Sequence, residues 1–344
     1  MEKALHTAIG VRDVYGEELR KKRKIMRSID EVFRSYAYDE IETPTFEYFD
    51  VFGREIGTTP SRDLYKFFDR EGDTLVLRPD FTPSVARAVA MYLQDVPRPL
   101  RLYYSGNTFV NSKEFRGILK ENTQMGVERI GENSPEADAE VIALVIDAIL
   151  AAGITRFQVS IGEVNFFKSL CGEARLPEEL RETIRTEIIR KNFYGVEDLL
   201  RSYPMESGLR EAFVRLPRLF GGREVLSEAA KYAVAPASEE AIDRLLRIDE
   251  LLRAIGRQKY VSYDFGALMS YHYYTGIIFS AYAHGAGEPV AKGGRYDGLL
   301  AHFGKPEDAV GAGIMIQQVV SAAQAAENEE ERQIAPEVSP EVGA

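Results

Sequence analysis

Three short stretches carry side chains that do chemistry. Leu77-Arg78-Pro79-Asp80-Phe81-Thr82-Pro83 sets a carboxylate and a hydroxyl at the mouth of a helix. Gln124 and Glu128 stand four apart in a strand-like run, so period-two alternation places both on one face. Residues 271–276 read Tyr-His-Tyr-Tyr-Thr-Gly, three tyrosines with a histidine among them. Acids, a hydroxyl and an amide suit an ammonium group. Tyrosine rings suit a planar heterocycle, offering a flat apolar body and a polar tip. Taken singly, each stretch also has a structural reading.

Other chemistry finds little support. There is no phosphate-cradling loop and no dinucleotide fingerprint, since Gly311-Ala312-Gly313 comes late and lacks the third glycine and downstream acid. Gly285, Gly287, Gly293 and Gly294 read as turn punctuation. The four histidines, His6, His272, His284 and His302, have no metal-ligand spacing, and no metal or cofactor is expected. Cys171 alone makes neither a disulfide framework nor a cysteine zinc cluster and reads as a small buried hydrophobe. No serine sits in a nucleophile elbow. A formal net charge of -11 argues against a phosphate-backbone binder. The basic run Arg20 to Lys24 falls in a helical pattern and reads as a solvated face. No segment is long and apolar enough to span a bilayer, and the N-terminus lacks an apolar signal core, so the expected location is cytoplasmic.

The elements that must position these residues follow from periodicity. Leu19, Ile25, Met26, Ile29, Val32 and Phe33 mark one face of a helix over 17–37. Tyr38 to Thr43 reads as extended, Phe46 to Ile56 as a short helix, and Tyr65 to Arg78 as a hairpin turning at Glu71-Gly72-Asp73. Thr82-Pro83 opens a helix with a capping hydroxyl and a proline. Strands are expected at Leu100–Val110, Asn122–Gly131, Phe157–Ile161, Tyr260–Phe265, Tyr273–Ala283, Val290–Lys292 and Ala309–Ile314. Helices are expected from Ser134 to Gly153, near Tyr296–Phe303, and from Met315 to about Ala326. Residues 176–255 read as a helical insertion into a core over 1–326, and the acidic tail 327–344 as disordered. Recurring hairpins with helices between them indicate an α+β fold with a mostly antiparallel sheet.

In order and spacing, these stretches resemble the catalytic core of histidyl-tRNA synthetase, a class II aminoacyl-tRNA synthetase. The likeness runs from about Gly10 to Gln318. It includes Gly10-Val11-Arg12-Asp13, the motif-1-like helix and strand ending at Pro44, and Leu77 to Thr82. It continues through the motif-2-like stretch Tyr103 to Glu128 and Tyr273-Tyr274-Thr275-Gly276, and ends with Gly293-Gly294-Arg295-Tyr296-Asp297-Gly298-Leu299. The last two are particular to the histidine branch. The resemblance implies that Asp80, Thr82 and Gln124 meet an α-amino group while Glu128, Tyr273 and Tyr274 surround an imidazole.

The departures bear on activity. Where the synthetases place an arginine and then an acid after the motif 2 phenylalanine, Phe109 is followed by Val110, Asn111 and Ser112. The motif 3 arginine corresponds to Gln318, and a further family arginine to Met269, after which Ser270, Tyr271 and His272 replace Gly, Leu and Asp. Arginine holds phosphate in a fork and neutralises charge developing on ATP. Losing one such donor costs roughly 10²–10³ in rate. No anticodon-binding domain is expected after the core. This pattern is similar to that of the synthetase-like regulatory subunits of ATP phosphoribosyltransferase. That family implies no synthetase activity, a short-form catalytic partner, histidine as effector, and a homodimer through the motif 1 region (16–44) within a hetero-octamer. Against it stand a short ligase activating histidine with ATP for a non-tRNA acceptor, and a tRNA-binding module, which the net charge disfavours.

Overall fold

The computed structural model describes residues 5–53, 59–111, 119–268 and 273–334. The helices are α1 (Gly16–Ser35), α2 (Thr82–Tyr92), α3 (Pro135–Ala151), α4 (Val164–Glu173), α5 (Glu178–Ile189), α6 (Phe193–Leu200), α7 (Ser207–Arg215), α8 (Glu224–Ala229), α9 (Pro236–Ala254) and α10 (Ile316–Ile334). The strands are β1 (Asp39–Glu40), β2 (Phe46–Tyr48), β3 (Lys66–Phe68), β4 (Thr74–Leu77), β5 (Leu100–Phe109), β6 (Glu121–Ile130), β7 (Phe157–Glu163), β8 (Phe220–Gly221), β9 (Val261–Asp264), β10 (Ile277–Ala283), β11 (Ala291–Arg295) and β12 (Ala309–Met315).

Nine strands form one sheet in the order β1-β5-β6-β12-β11-β10-β7-β9-β8, and β2-β4-β3 form a second. The large sheet is antiparallel except where β1 joins β5 and β7 joins β9. This is the expected α+β architecture. Strand alternation sorts its centre into two faces. Met125 and Val127 on β6, Val310, Ala312 and Ile314 on β12, and Tyr103 on β5 join the main core with the apolar residues of α3. Leu100, Leu102, Tyr104, Ile130 and Ala309 point the other way, into a smaller core with Phe81, Val85 and Val89 around α2. Gln124 and Glu128 share that second face.

Several elements differ from expectation. Phe46–Tyr48 is a strand, because pairing with β4 and burial of Glu47 against Arg87 (2.8 Å) outweigh local preference. A single 3₁₀ turn, Phe49–Val51, follows, and residues 54–56 lie outside the described residues. Thr82 does not cap α2. Phe81 holds the cap position, and the Thr82 hydroxyl donates instead to Glu128 at 2.7 Å. Ser134 does cap α3, accepting from the Ala137 N–H at 3.1 Å. Tyr273–Gly276 precede β10 rather than belonging to it, and the helix expected near Tyr296 is a 3₁₀ turn, Leu300–Phe303. Gly293 and Gly294 lie inside β11 rather than in a turn.

The first part of the acidic stretch is helical rather than disordered. Residues 327–334 continue α10. Glu327 pairs with Lys21 at 2.6 Å, and Glu329 meets Arg156 at 2.5 Å and His284 at 3.0 Å. These partners lie far away in sequence, so composition alone could not supply them. Residues 335–344 lie outside the described residues. The stretch 176–255 contains helices α5–α9 and the short strand β8, and its buried residues belong to the same core as the sheet.

Candidate functional site

A cleft of about 1200 Å³ opens on the α2 side of the large sheet. Its inner end is lined by Pro79, Asp80, Thr82, Gln124, Tyr273, Tyr274 and Tyr296. These come from three places: the mouth of α2, the cleft face of β6, and the chain on either side of the β10–β11 pair. Antiparallel register delivers them, because β12 lies between β6 and β11 and pairs Gly311 with both Glu128 and Gly294.

Two glycines on β12 make the inner end possible. A Cβ at Gly311 would lie 1.7 Å from Glu128 Oε2, and one at Gly313 would lie 2.2 Å from Gln124 Nε2. Residues 311 and 313 are opened so that an acid and an amide can lie flat across the sheet. The Gly-Ala-Gly run is a packing device for the polar residues of the neighbouring strand.

Glu128, only 1 % exposed, is the centre of the polar cluster. Thr82 Oγ1 donates to one carboxylate oxygen at 2.7 Å, and the Tyr296 hydroxyl donates to the other. Burial pushes the Glu128 carboxyl up to about 8, although both hydroxyls favour its ionised form. Asp80, deep in the cleft, is raised by burial; the N–H groups of Phe81 (2.7 Å) and Thr82 (3.5 Å) and the Gln124 amide oppose that shift. Gln124 Nε2 also donates to the Tyr104 hydroxyl at 3.2 Å. Tyr104 stacks on Phe81 with ring centroids 4.3 Å apart, and Tyr273 stacks on Tyr296 at 5.6 Å. The Tyr273 hydroxyl is buried with no hydrogen-bond partner among the described residues. An orphan buried hydroxyl costs about 1–3 kcal/mol, which a ligand's polar atom would relieve.

Of the residues singled out in the sequence, Asp80, Thr82, Gln124, Tyr273 and Tyr274 line the cleft together. Glu128 lies just beneath, reached through Thr82 and Tyr296. Sequence reasoning missed Tyr104 and gave Tyr296 no role of its own. The alternation that puts Leu100 and Leu102 with Tyr104 on one face of β5 could have flagged the first.

The outer end is lined by Arg12, Glu18, Lys22, Val110, Leu119, Asn122, Ser280, Glu288, Lys292, Gln317 and Gln318. Val110 and Gln318 therefore do face the cleft. Arg12 is engaged by Glu18, with Nη1 2.8 Å from Oε2. Lys22 donates to Thr123 Oγ1 at 2.6 Å, and burial lowers its pKa. Ser112 and Met269 lie outside the described residues, as do Ser270, Tyr271 and His272. Among the described residues no group of three or more His, Cys, Asp or Glu could hold a metal ion, and no helix is long and apolar enough to cross a membrane.

The inner end can hold a cationic amine against half-buried Asp80 and buried Glu128, and a ring between tyrosines. A family profile described as histidyl-tRNA synthetase matches residues 10–319. A protein of Acetivibrio thermocellus named ATP phosphoribosyltransferase regulatory subunit is 43% identical over 318 residues, 92% of this chain and 76% of that protein. One of the same name from Thermoanaerobacter pseudethanolicus is 38% identical over 315 residues, 92% of this chain and 82% of that one. The crystal structure of an ATP phosphoribosyltransferase regulatory subunit/histidyl-tRNA synthetase from Bacillus halodurans superposes with a TM-score of 0.87 at 32% identity, covering 95% of this chain and 90% of that one.

Proposed function

The chain belongs to the histidyl-tRNA synthetase family, and from that premise we propose that it is the non-catalytic regulatory subunit of an ATP phosphoribosyltransferase. It supports the first step of histidine biosynthesis and confers feedback inhibition by histidine. One observation carries the reading: a single cleft sets half-buried Asp80 and a tyrosine cage at its inner end, with buried Glu128 just beneath, and Val110 and Gln318 at its outer end. In this reading Asp80, Thr82 and Gln124 take the ammonium of histidine, and Glu128, Tyr273 and Tyr274 take the imidazole. The outer end lacks the arginine fork that phosphoryl chemistry requires at those two positions.

The partner is a short-form catalytic phosphoribosyltransferase, joined in a hetero-octamer by homodimers formed through the motif 1 region, α1 to Pro44, in the cytoplasm. Histidine lowers the partner's activity by binding one conformation of the complex more tightly than the other, with a coupling of typically 1–3 kcal/mol. The test is a histidine titration of the purified complex, with phosphoribosyltransferase activity as the readout. Asp80→Asn should blunt feedback and leave uninhibited activity intact; unchanged feedback would place the effector elsewhere. Measurable histidine-dependent ATP–pyrophosphate exchange by this chain would instead favour a ligase.

A further inference from the structure

The stretch 176–255 reaches the cleft from behind. Its last helix, α9, packs on α3 and α4. Arg244 of α9 donates from Nε to Asp138 Oδ2 at 2.6 Å and from Nη1 to Asn133 Oδ1 at 2.9 Å. Asp138 on α3 is fully buried, and its other oxygen accepts from Nε (3.0 Å) and Nη2 (2.7 Å) of Arg295. Arg295 lies on β11, on the face away from the cleft. Its Nη1 donates to Asp297 Oδ1 at 2.9 Å, and Asp297 Oδ2 accepts from the Thr275 hydroxyl at 2.8 Å. Thr275 also donates its N–H to the Arg295 carbonyl at 2.8 Å. An unbroken line of charged and hydrogen-bonded groups thus runs from α9 to the residue next to Tyr274.

A second line converges on the same place. Glu163, buried, caps α4 by accepting from the Phe166 N–H at 3.0 Å, and it lies within electrostatic reach of Arg244. From there α4 holds three successive carbonyls behind the tyrosines. Val164 N–H takes that of Gly276 (3.1 Å), Asn165 Nδ2 that of Thr275 (2.7 Å), and Lys168 Nζ that of Tyr274 (3.0 Å). Arg244 Nη2 and Glu163 Oε1 are both buried without a hydrogen-bond partner among the described residues.

We propose that Arg244 is a positioning residue for the ligand pocket: through Asp138 and Arg295 it fixes Thr275 and the Tyr273–Tyr274 wall, so that ligand affinity depends on how α9 is seated. The proposal rests on the reading of the cleft as a histidine site. By linkage, whatever shifts α9 changes histidine affinity, and histidine in turn biases α9.

Two measurements on the full chain test it. In ligand-free hydrogen exchange, Arg244→Met should speed exchange at the Thr275 and Ala309 N–H groups, the latter bonded to Asp297. The expected factor is roughly 3- to 30-fold, the span of mutations along coupled networks. Arg244→Lys should restore part of the protection, and the amides of β6 should not change. In calorimetric titration with L-histidine, Arg244→Met should raise Kd by a similar factor, and combination with Thr275→Val should be non-additive. Unchanged exchange at Thr275 in a folded variant, or strictly additive effects on Kd, overturns the proposal. If Arg244→Met does not fold, Arg244→Lys is read by the same two criteria. Failure of the wild-type chain to bind histidine removes the reading of the cleft and leaves exchange at Thr275 to decide the positioning.

Discussion

The two ends of one cleft are built differently. At the inner end polar groups are paired with one another across strands: Thr82 and Tyr296 to Glu128, Gln124 to Tyr104. Glycines on β12 leave room for them. At the outer end Arg12 is held by Glu18 and Lys22 by Thr123, and Val110 and Gln318 offer no charge at all. The difference teaches that the inner groups are part of the fold as well as of a site. Removing one leaves its buried partners unsatisfied, whereas the outer side chains can change with little structural consequence.

That contrast can be broken most directly at Glu128. Glu128→Ala strands two hydroxyls and removes the central acid. Calorimetric histidine binding should weaken roughly 5- to 100-fold, the cost of leaving buried polar groups without their partner. Gln318→Ala should shift the same Kd by less than about twofold. Equal losses at both ends would erase the distinction.

Backbone space gives the next largest effect. Gly311→Ala drives a methyl into Glu128 and should lower denaturant stability by about 1–3 kcal/mol, the usual result of overpacking. Gly287→Ala, at the outer end with nothing within 4 Å of the added carbon, should stay within about 0.5 kcal/mol.

Acidity sharpens the comparison further. Glu128 titrates near 8 when folded against a reference of 4.5, so between those values the folded chain holds a proton that the unfolded chain has lost. Its contribution to stability is complete below about 4.5 and lost as pH rises toward 8, with a slope of at most about 1.4 kcal/mol per pH unit. Glu163, raised to about 7 by burial, acts in the same direction. Melting profiles from pH 5 to 8 should therefore slope downward, and Glu128→Gln should flatten them by that residue's share. Gln318→Ala should leave the slope unchanged.

The smallest expected effect is at the nucleotide end itself. Millimolar ATP with magnesium should move the melting temperature by less than about 1 °C, because a ligand that does not bind the folded chain gives no mass-action stabilisation. A shift of several degrees would mean that the outer cations grip phosphate after all.

Much of the fold could be read from the residues because it follows from local periodicity. The apolar face of α1, the capped start of α3, the β3–β4 hairpin and the alternation along β5 and β6 are short-range patterns. The errors arose where distant partners decide. Phe46–Tyr48 is a strand because β4 lies beside it, and α10 continues to Ile334 with Lys21, Arg156 and His284 facing its acids. Within the candidate site, Asp80, Thr82, Gln124, Tyr273 and Tyr274 stood out by type and spacing and were given a joint meaning by the family resemblance. The second role of the glycines was not, since only the β6–β12 register reveals what stands opposite them.

By itself the sequence determined which polar side chains exist, their alternation along each strand, and the uncharged residues at positions 110 and 318. The tertiary structure alone decided that Thr82 serves Glu128 rather than its own helix, that Arg295 faces α3 while Tyr296 faces the cleft, and that Arg244 stands behind the tyrosine wall. The reason is physical: a buried charge or hydroxyl must find its partner wherever packing brings one, and those partners are set by strand register and helix docking, which no local window contains.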